Sequence, residues 1–255
     1  MKLSFCLPAM RTHLWESFYN SVCESVTEAY EWELIMVGPN DPPDFFSDVE
    51  NFTFVKDFGS PSRCGQIATT LAKGELMMWG SDDGIYTRNS IAECVRMHDS
   101  LPQKDAIAVR YTEGRNYSGK PMHPNYWMAH HHPTLRVVPE SYAVLMVGML
   151  KLDYFRELGG WDCRFEHLNM NTHDLSFRLQ RDGGAIHLSP QIVANHDWNP
   201  NEGDHVAVQE AYDKNDLALF NSTYAPGAER EIKIDYDNWK ESPEVWERRF
   251  GKSGK

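Results

Sequence analysis

The stretch Leu76-Met77-Met78-Trp79-Gly80-Ser81-Asp82-Asp83-Gly84 ends an apolar run on two adjacent carboxylates. Four apolar residues bounded by turn formers read as a buried strand. Like charges side by side repel, and a cation beside them resolves the conflict. A hard divalent ion that keeps open positions for phosphate oxygens suits carboxylate ligands. The plain alternative is a solvated Asp-Asp-Gly turn, since Asp-Gly is a common turn pair.

Similar apolar runs lie at Leu3–Leu7, Glu33–Val37, Phe52–Val55, Ala106–Val109 and Ala143–Leu150. Segments of helical length, Leu14 to Tyr30 and Pro61 to Lys73, separate the early ones. Alternating strand and helix predict an α/β fold with a mostly parallel central sheet flanked by helices. In such sheets ligands sit beyond the carboxyl ends of the strands. The residues to watch are therefore Pro8–Arg11, Gly38–Asp41, Asp57–Ser60 and Gly80–Gly84. Residues 1–203 read as one domain, and 204–255, polar and dotted with aromatics, as a C-terminal extension packing on it.

Composition narrows the partners. The chain has 255 residues, 41% of them apolar, and 25 basic against 37 acidic residues give a formal charge of -12. That charge repels a phosphate backbone and argues against nucleic acid. No stretch approaches the roughly 20 apolar residues that span a bilayer, and Pro8 with nearby charges interrupts any signal peptide. The five cysteines are odd in number and lack a CxxC pair, which fits reduced thiols in a cytoplasm.

Ala72-Lys73-Gly74-Glu75, the strand Leu76–Trp79 and Gly80-Ser81-Asp82-Asp83 together resemble the glycosyltransferase family 2 pattern. There an Ala-x-Gly-Glu helix end leads into an apolar strand and an Asp-x-Asp-Asp turn. The resemblance implies a GT-A fold and hexosyl transfer from a nucleotide-sugar, a UDP-sugar by family frequency, with Mn2+ or Mg2+ on the diphosphate. It makes Asp82 a metal ligand with Asp83 beside it, and puts Gly80 where the family has its first Asp. It also makes Pro8, Ala9 and Arg11 an edge of the nucleotide pocket, with Ser81 and Asp82 on the donor. Asn40 or Asp41 stands where the family reads base or ribose, and Arg63 and Gln66 open the helix before the acidic turn. Arg63 could fork onto a phosphate or be a surface arginine.

A second block, Leu158-Gly159-Gly160-Trp161-Asp162 through Asp174-Leu175-Ser176-Phe177-Arg178 to Asp182-Gly183-Gly184, resembles the acceptor side of GT-A enzymes. The polypeptide N-acetylgalactosaminyltransferases have the most similar version. Asn171 or Thr172 can cap a helix with Asp174 in its first turn, near the favourable end of the dipole. A carboxylate there could take the proton of an acceptor hydroxyl, the base that an inverting reaction needs. Asn171 replaces a family acidic residue, so Glu166 is the alternative to Asp174. Farther on, Val193-Ala194-Asn195-His196 follows the strand-like Ala185–Leu188, and the resemblance makes His196 the ligand that completes the metal site. Inversion and retention both stay open, because the two resemblances pull in opposite directions.

The run His130-His131-His132 reads as part of a long loop, Tyr111 to Pro139, over the site, with Tyr126 and Trp127 as sugar-stacking or anchoring residues. Two other functions compete with transfer. One is a nucleotide-sugar- or carbohydrate-binding module with the same fold but no turnover, favoured by Gly80 and Asn171. The other is a nucleotidyltransferase, disfavoured by the lack of a Gly-rich, basic loop after the first strand. The acceptor and the oligomeric state are not legible.

Overall fold

The structure is a computed structural model that describes residues 1–27, 30–113, 123–125, 128–129, 142–196, 203–225 and 227–244. Its strands are β1 (Leu3–Pro8), β2 (Trp32–Gly38), β3 (Phe52–Lys56), β4 (Leu76–Trp79), β5 (Ile85–Tyr86), β6 (Ala106–Glu113), β7 (His123–Asn125), β8 (Met128–Ala129), β9 (Tyr142–Ala143), β10 (Gly148–Lys151) and β11 (Ile186–His196). Its helices are α1 (Trp15–Ser25), α2 (Pro61–Leu71), α3 (Ser90–His98), α4 (Leu152–Glu157), α5 (Leu168–Arg181), α6 (Gly203–Ala211) and α7 (Leu217–Thr223). The main sheet runs β3-β2-β1-β4-β10-β6-β11-β5, and β7 pairs with β6. β1 is parallel to β2 and β4, β2 to β3, and β6 to β11, whereas β10 runs antiparallel between β4 and β6. This is the expected GT-A class, a mostly parallel sheet flanked by helices.

Strand residues alternate between the two faces of the sheet, as a period of two demands. Phe5 and Leu7 join Leu34, Met36, Leu76 and Met78 in one layer with Trp15 and Phe18 of α1. Cys6, Ile35, Val37, Met77 and Trp79 join the other, against α2, α4, α5 and Trp161. Because both faces are covered, these strands read as continuous apolar runs rather than alternating ones. Burying each large side chain contributes roughly 1.5–3 kcal/mol, so neither layer could be left bare.

The Ala-x-Gly-Glu element has a local cause. Glu33, buried, accepts hydrogen bonds from Ser4 Oγ and Lys73 N, each at 2.7 Å. This polar knot ties the end of α2 to β1 and β2. A Cβ on Gly74 would lie 2.5 Å from Ser4 N and 2.6 Å from Leu76 O, so only glycine lets the chain pass there.

Two sequence expectations change. Ala143–Leu150 is not one strand but β9 and β10 with an irregular step at 144–147 between them. The acceptor-side helix begins at Leu168 and not near Asn171, with His167 as its cap, its Nδ1 accepting from Asn169 N at 2.9 Å. Asp174 therefore sits well inside α5, away from the helix start. No helix among the described residues is long and apolar enough to cross a membrane, and all five cysteines are free thiols.

Candidate active site

β1 lies between β2 and β4, so the chain leaves the sheet in opposite directions on its two sides and a crevice opens at the carboxyl ends. The acidic turn after β4 meets the loop after β1 there. Asp82 Oδ2 accepts from the main-chain N–H groups of Met10 at 2.6 Å and Arg11 at 2.7 Å, and from Trp15 Nε1 at 2.9 Å. Its Oδ1 accepts from Arg11 Nη1 at 2.7 Å. Asn40 Nδ2 donates to Met10 O at 2.9 Å and steadies the same loop from β2. Asp82 thus binds β1, α1 and β4 together at the floor of the crevice.

Asp83 is buried beside Asp82, with the same Arg11 Nη1 at 3.4 Å. Burial opposes its ionisation, but the charges of Arg11 and His196 outweigh it and hold the carboxyl below its ordinary value. His196, the last residue of β11, is buried and stacks on Tyr111 at a centroid distance of 5.0 Å and 20°. Its Nε2 lies so near the turn that a Cβ on Gly84 would be 3.3 Å away.

A cavity of about 890 Å³ covers this floor, within the size of small-molecule sites. Pro8, Ala9, Arg11, Ser81, Asp82 and His196 line it, so these sequence candidates are brought together. Tyr111, Met146, His167, Asn169 and Thr172 also line it, together with Gln209 and Asp213 beyond residue 203. Sequence reading missed all of these. The helix cap at His167 is the available signal for three of them, and Asn171 and Thr172, residues of stronger cap preference, mask it.

Other candidates are drawn elsewhere. Asp41 is exposed and pairs with Lys56 at 2.7 Å. Arg63 forks onto Asp57 and gives Nη1 to the carbonyls of Trp239 and Ser242, each at 2.6 Å, so it clamps the C-terminal segment instead of reaching a phosphate. Gln66, fully buried, accepts from Trp161 N and donates to Tyr236 O, both at 2.8 Å. It is a joint between α2, the Gly-Gly turn and the same segment.

Asp174 is corrected most sharply. It is fully buried and accepts from Arg178 Nε at 2.7 Å, Tyr224 OH at 2.7 Å and Arg230 Nε and Nη2 at 2.9 Å each. Burial pushes its carboxyl up, but Arg178 and Arg230 bring it down to about 2, so it is held as an anion inside the fold. Arg178 in turn donates to Leu158 O at 2.7 Å and Gly160 O at 2.6 Å, locking the Gly-Gly turn. Glu166 lines a different cavity, of about 810 Å³, with Asp162 and Arg164. Its main-chain N–H donates to Asp216 at 2.9 Å.

The two departures from the family pattern have steric and polar causes. A Cβ at Gly80 would lie 2.5 Å from the Tyr86 hydroxyl, so the space of a side chain is taken. Asn171 is fully buried and makes a reciprocal pair with Asp162, accepting from its N–H and donating to its C=O, both at 2.9 Å. A carboxylate at 171 could not donate the second bond. The run His130-His131-His132 with Tyr126 and Trp127 lies outside the described residues.

Comparison places this architecture among known ones. No family model matches the chain, and no curated protein matches its sequence. Residues 1–349 of TarS from S. aureus, solved in complex with UDP and with UDP-GlcNAc, share the fold with a TM-score of 0.56 in both complexes. Identity is 14%, over 88% of this chain and 70% of that one. Against the longer S. aureus TarS structure the TM-score is 0.55 at 14% identity, and the match covers 93% of this chain but 45% of that one.

Proposed function

We propose that the chain is a glycosyltransferase that takes a UDP-sugar as donor and passes the sugar to a hydroxyl acceptor. The observation that carries this reading is the crevice at the carboxyl ends of β1 and β4, where Ser81–Asp82, Arg11 and His196 line one cavity. A structure of the same fold binds UDP and UDP-GlcNAc, which supports the choice of donor. Pro8 and Ala9 would form an edge for the nucleoside, and Arg11 the cationic group nearest the diphosphate. The Asp82 scaffold would keep them in register, which is how an enzyme lowers the cost of orienting its substrate.

The fold family implies a divalent ion. Asp83 and His196, a buried carboxylate and imidazole that feel each other's charge, have the donor chemistry for Mn2+ or Mg2+. Among the described residues no third His, Cys, Asp or Glu joins them. The pair would thus hold the ion with phosphate and water oxygens completing its shell. When bound, such an ion offsets the charge that grows on the diphosphate as the glycosidic bond breaks. Asp82, with N–H donors on both oxygens, serves that pair as a positioning residue.

A test is calorimetry with UDP in the presence and absence of Mn2+, paired with donor hydrolysis across several UDP-sugars. Binding that needs the ion, is lost in Asp83→Ala and weakens in Asp82→Ala is the expected result; ion-independent binding that neither change affects would sink the site. A second reading, a binding module without turnover, is favoured by Asp174 and Glu166 both lying off the cavity. Release of UDP from a UDP-sugar excludes it. If the reaction inverts, the base must come from the cavity wall, where Glu210 and Asp213 are the carboxylates of the α6 side.

A further inference from the structure

Arg11 stands where a cation would be expected. Its Nη1 atom lies 2.7 Å from Asp82 Oδ1, 3.4 Å from Asp83 Oδ1 and 3.2 Å from Ser81 Oγ. The side chain is 15% exposed and the two carboxylates 5% and 4%. A divalent ion bridging such oxygens sits roughly 2.0–2.6 Å from them. Nη1 and an ion cannot share that space, and the guanidinium carries a permanent charge that repels one nearby. The repulsion between neighbouring aspartates, which marks this turn as a cation site, is already relieved by a residue of the chain itself.

We propose that Arg11 is the resident cation of the donor site and that it leaves the Asp82–Asp83 pair only when a nucleoside diphosphate arrives to receive it. The inference rests on the donor-site reading above. Its consequence is that the divalent ion and the diphosphate enter together: the phosphates draw the guanidinium away, and Asp83, relieved of that charge, would accept the ion beside His196. The floor itself need not move, because Asp82 keeps the main-chain N–H groups of Met10 and Arg11 and the Trp15 indole when the side chain swings out. Uptake of each ligand then raises the affinity for the other by the same factor, as linkage requires.

The measurement is Mn2+ binding followed by the EPR signal of the free ion, with and without UDP, on the wild-type chain, Arg11→Met and Arg11→Lys. Wild type should bind Mn2+ weakly alone and tightly with UDP. Arg11→Met should bind it alone at least about tenfold more tightly than wild type, the size that follows from removing one unit charge a few ångströms away. Arg11→Lys keeps the charge and should stay near wild type. Equal Mn2+ affinity of wild type and Arg11→Met without UDP overturns the proposal, as does wild-type affinity for Mn2+ that UDP leaves unchanged. That last comparison needs no variant to fold. Failure of the donor-site reading looks different: no protein binds Mn2+ even with UDP present.

Discussion

Two carboxylate–arginine clusters differ in what surrounds them. In one, Asp162 and Asp174 share Arg230, Arg178 completes the pairing of Asp174 and Arg164 that of Asp162, and Asp174 has Tyr224 as a further donor; Asp174 is enclosed, while Asp162 borders the 810 Å³ cavity. In the other, Asp82 and Asp83 share Arg11, and the group opens on the 890 Å³ cavity beside His196. Both look alike in sequence, as acidic residues in turns or helices near glycines. The first has three guanidiniums for two carboxylates, so its charges are matched and it holds the Gly-Gly turn and the C-terminal segment in place. The second has one guanidinium for two carboxylates, on a side chain that lines the cavity, which leaves a negative charge to be met there. The number of counter-charges separates scaffold from site here, and the presence of carboxylates does not.

The sharpest way to break this contrast is to cut one arginine from each cluster. Arg230→Met removes the guanidinium that Asp162 and Asp174 share, leaving Asp174 to Arg178 and Tyr224 and Asp162 to the exposed Arg164, a change that costs about 3 kcal/mol, the low end for a broken buried pair. Thermal unfolding should show it, while KM for the donor in the protein that remains folded stays put. Were Asp174 the catalytic base, Asp174→Asn would instead lower kcat by orders of magnitude with little loss of stability. At the other cluster, Asp83→Asn should lower donor turnover by about 10²-fold, the typical loss when one charge-stabilising group goes. Its melting temperature should change little. A wild-type rate in Asp83→Asn would move the site away from the acidic turn. Gly80→Asp sharpens the comparison from the steric side. It restores the family carboxylate but drives a side chain into the Tyr86 hydroxyl, and should destabilise by about 1–3 kcal/mol without a gain in turnover. Gly80→Asp combined with Tyr86→Phe, which removes the hydroxyl in the way, should recover part of that loss.

How much of this was legible in sequence follows from the kind of interaction involved. The strands of the sheet were readable because burial on both faces leaves unbroken apolar runs, as in Leu76–Trp79 and Glu33–Val37. The convergence of Pro8–Arg11 with Ser81–Asp83 was readable because strand order alone brings carboxyl ends together. Side-chain partnerships across long separations were not. Nothing near Arg63 announces that Trp239 and Ser242 will claim its guanidinium, and nothing near Asp174 announces Arg230. Asp174 was misread for a second reason: Asn171 and Thr172 are good cap residues, but His167 supplies the cap, and Asn171 is spent on the backbone of Asp162. The wall contributed by Gln209 and Asp213 was hidden because a polar segment with scattered aromatics looks the same whether it trails off or lines a cavity.

The smallest expected effect comes from pH and sets the enclosed Asp174 against Asp216. Asp174 is held at about 2, below its ordinary 3.8, so the folded chain binds that proton less tightly than the unfolded chain. Its contribution to stability is present above 3.8 and is lost as the pH falls toward 2. Asp216 is buried at the end of the π-helical segment Tyr212–Asp216, where it accepts from Glu166 N and His167 N. Burial outweighs those bonds and lifts its carboxyl to about 6. The sign therefore reverses: its contribution is fully present below 3.8 and is lost as the pH rises through 6. Asp216→Asn removes the titrating group and should flatten the fall in stability between pH 4 and 6, by at most about 1.4 kcal/mol per pH unit. Asparagine also gives up one of the two backbone bonds, so the variant can be less stable throughout; the slope, measured by denaturant unfolding at several pH values, carries the test. An unchanged slope would mean that Asp216 is ionised through this range, and its two backbone bonds would then hold the His167 edge of the cavity as those of an anion.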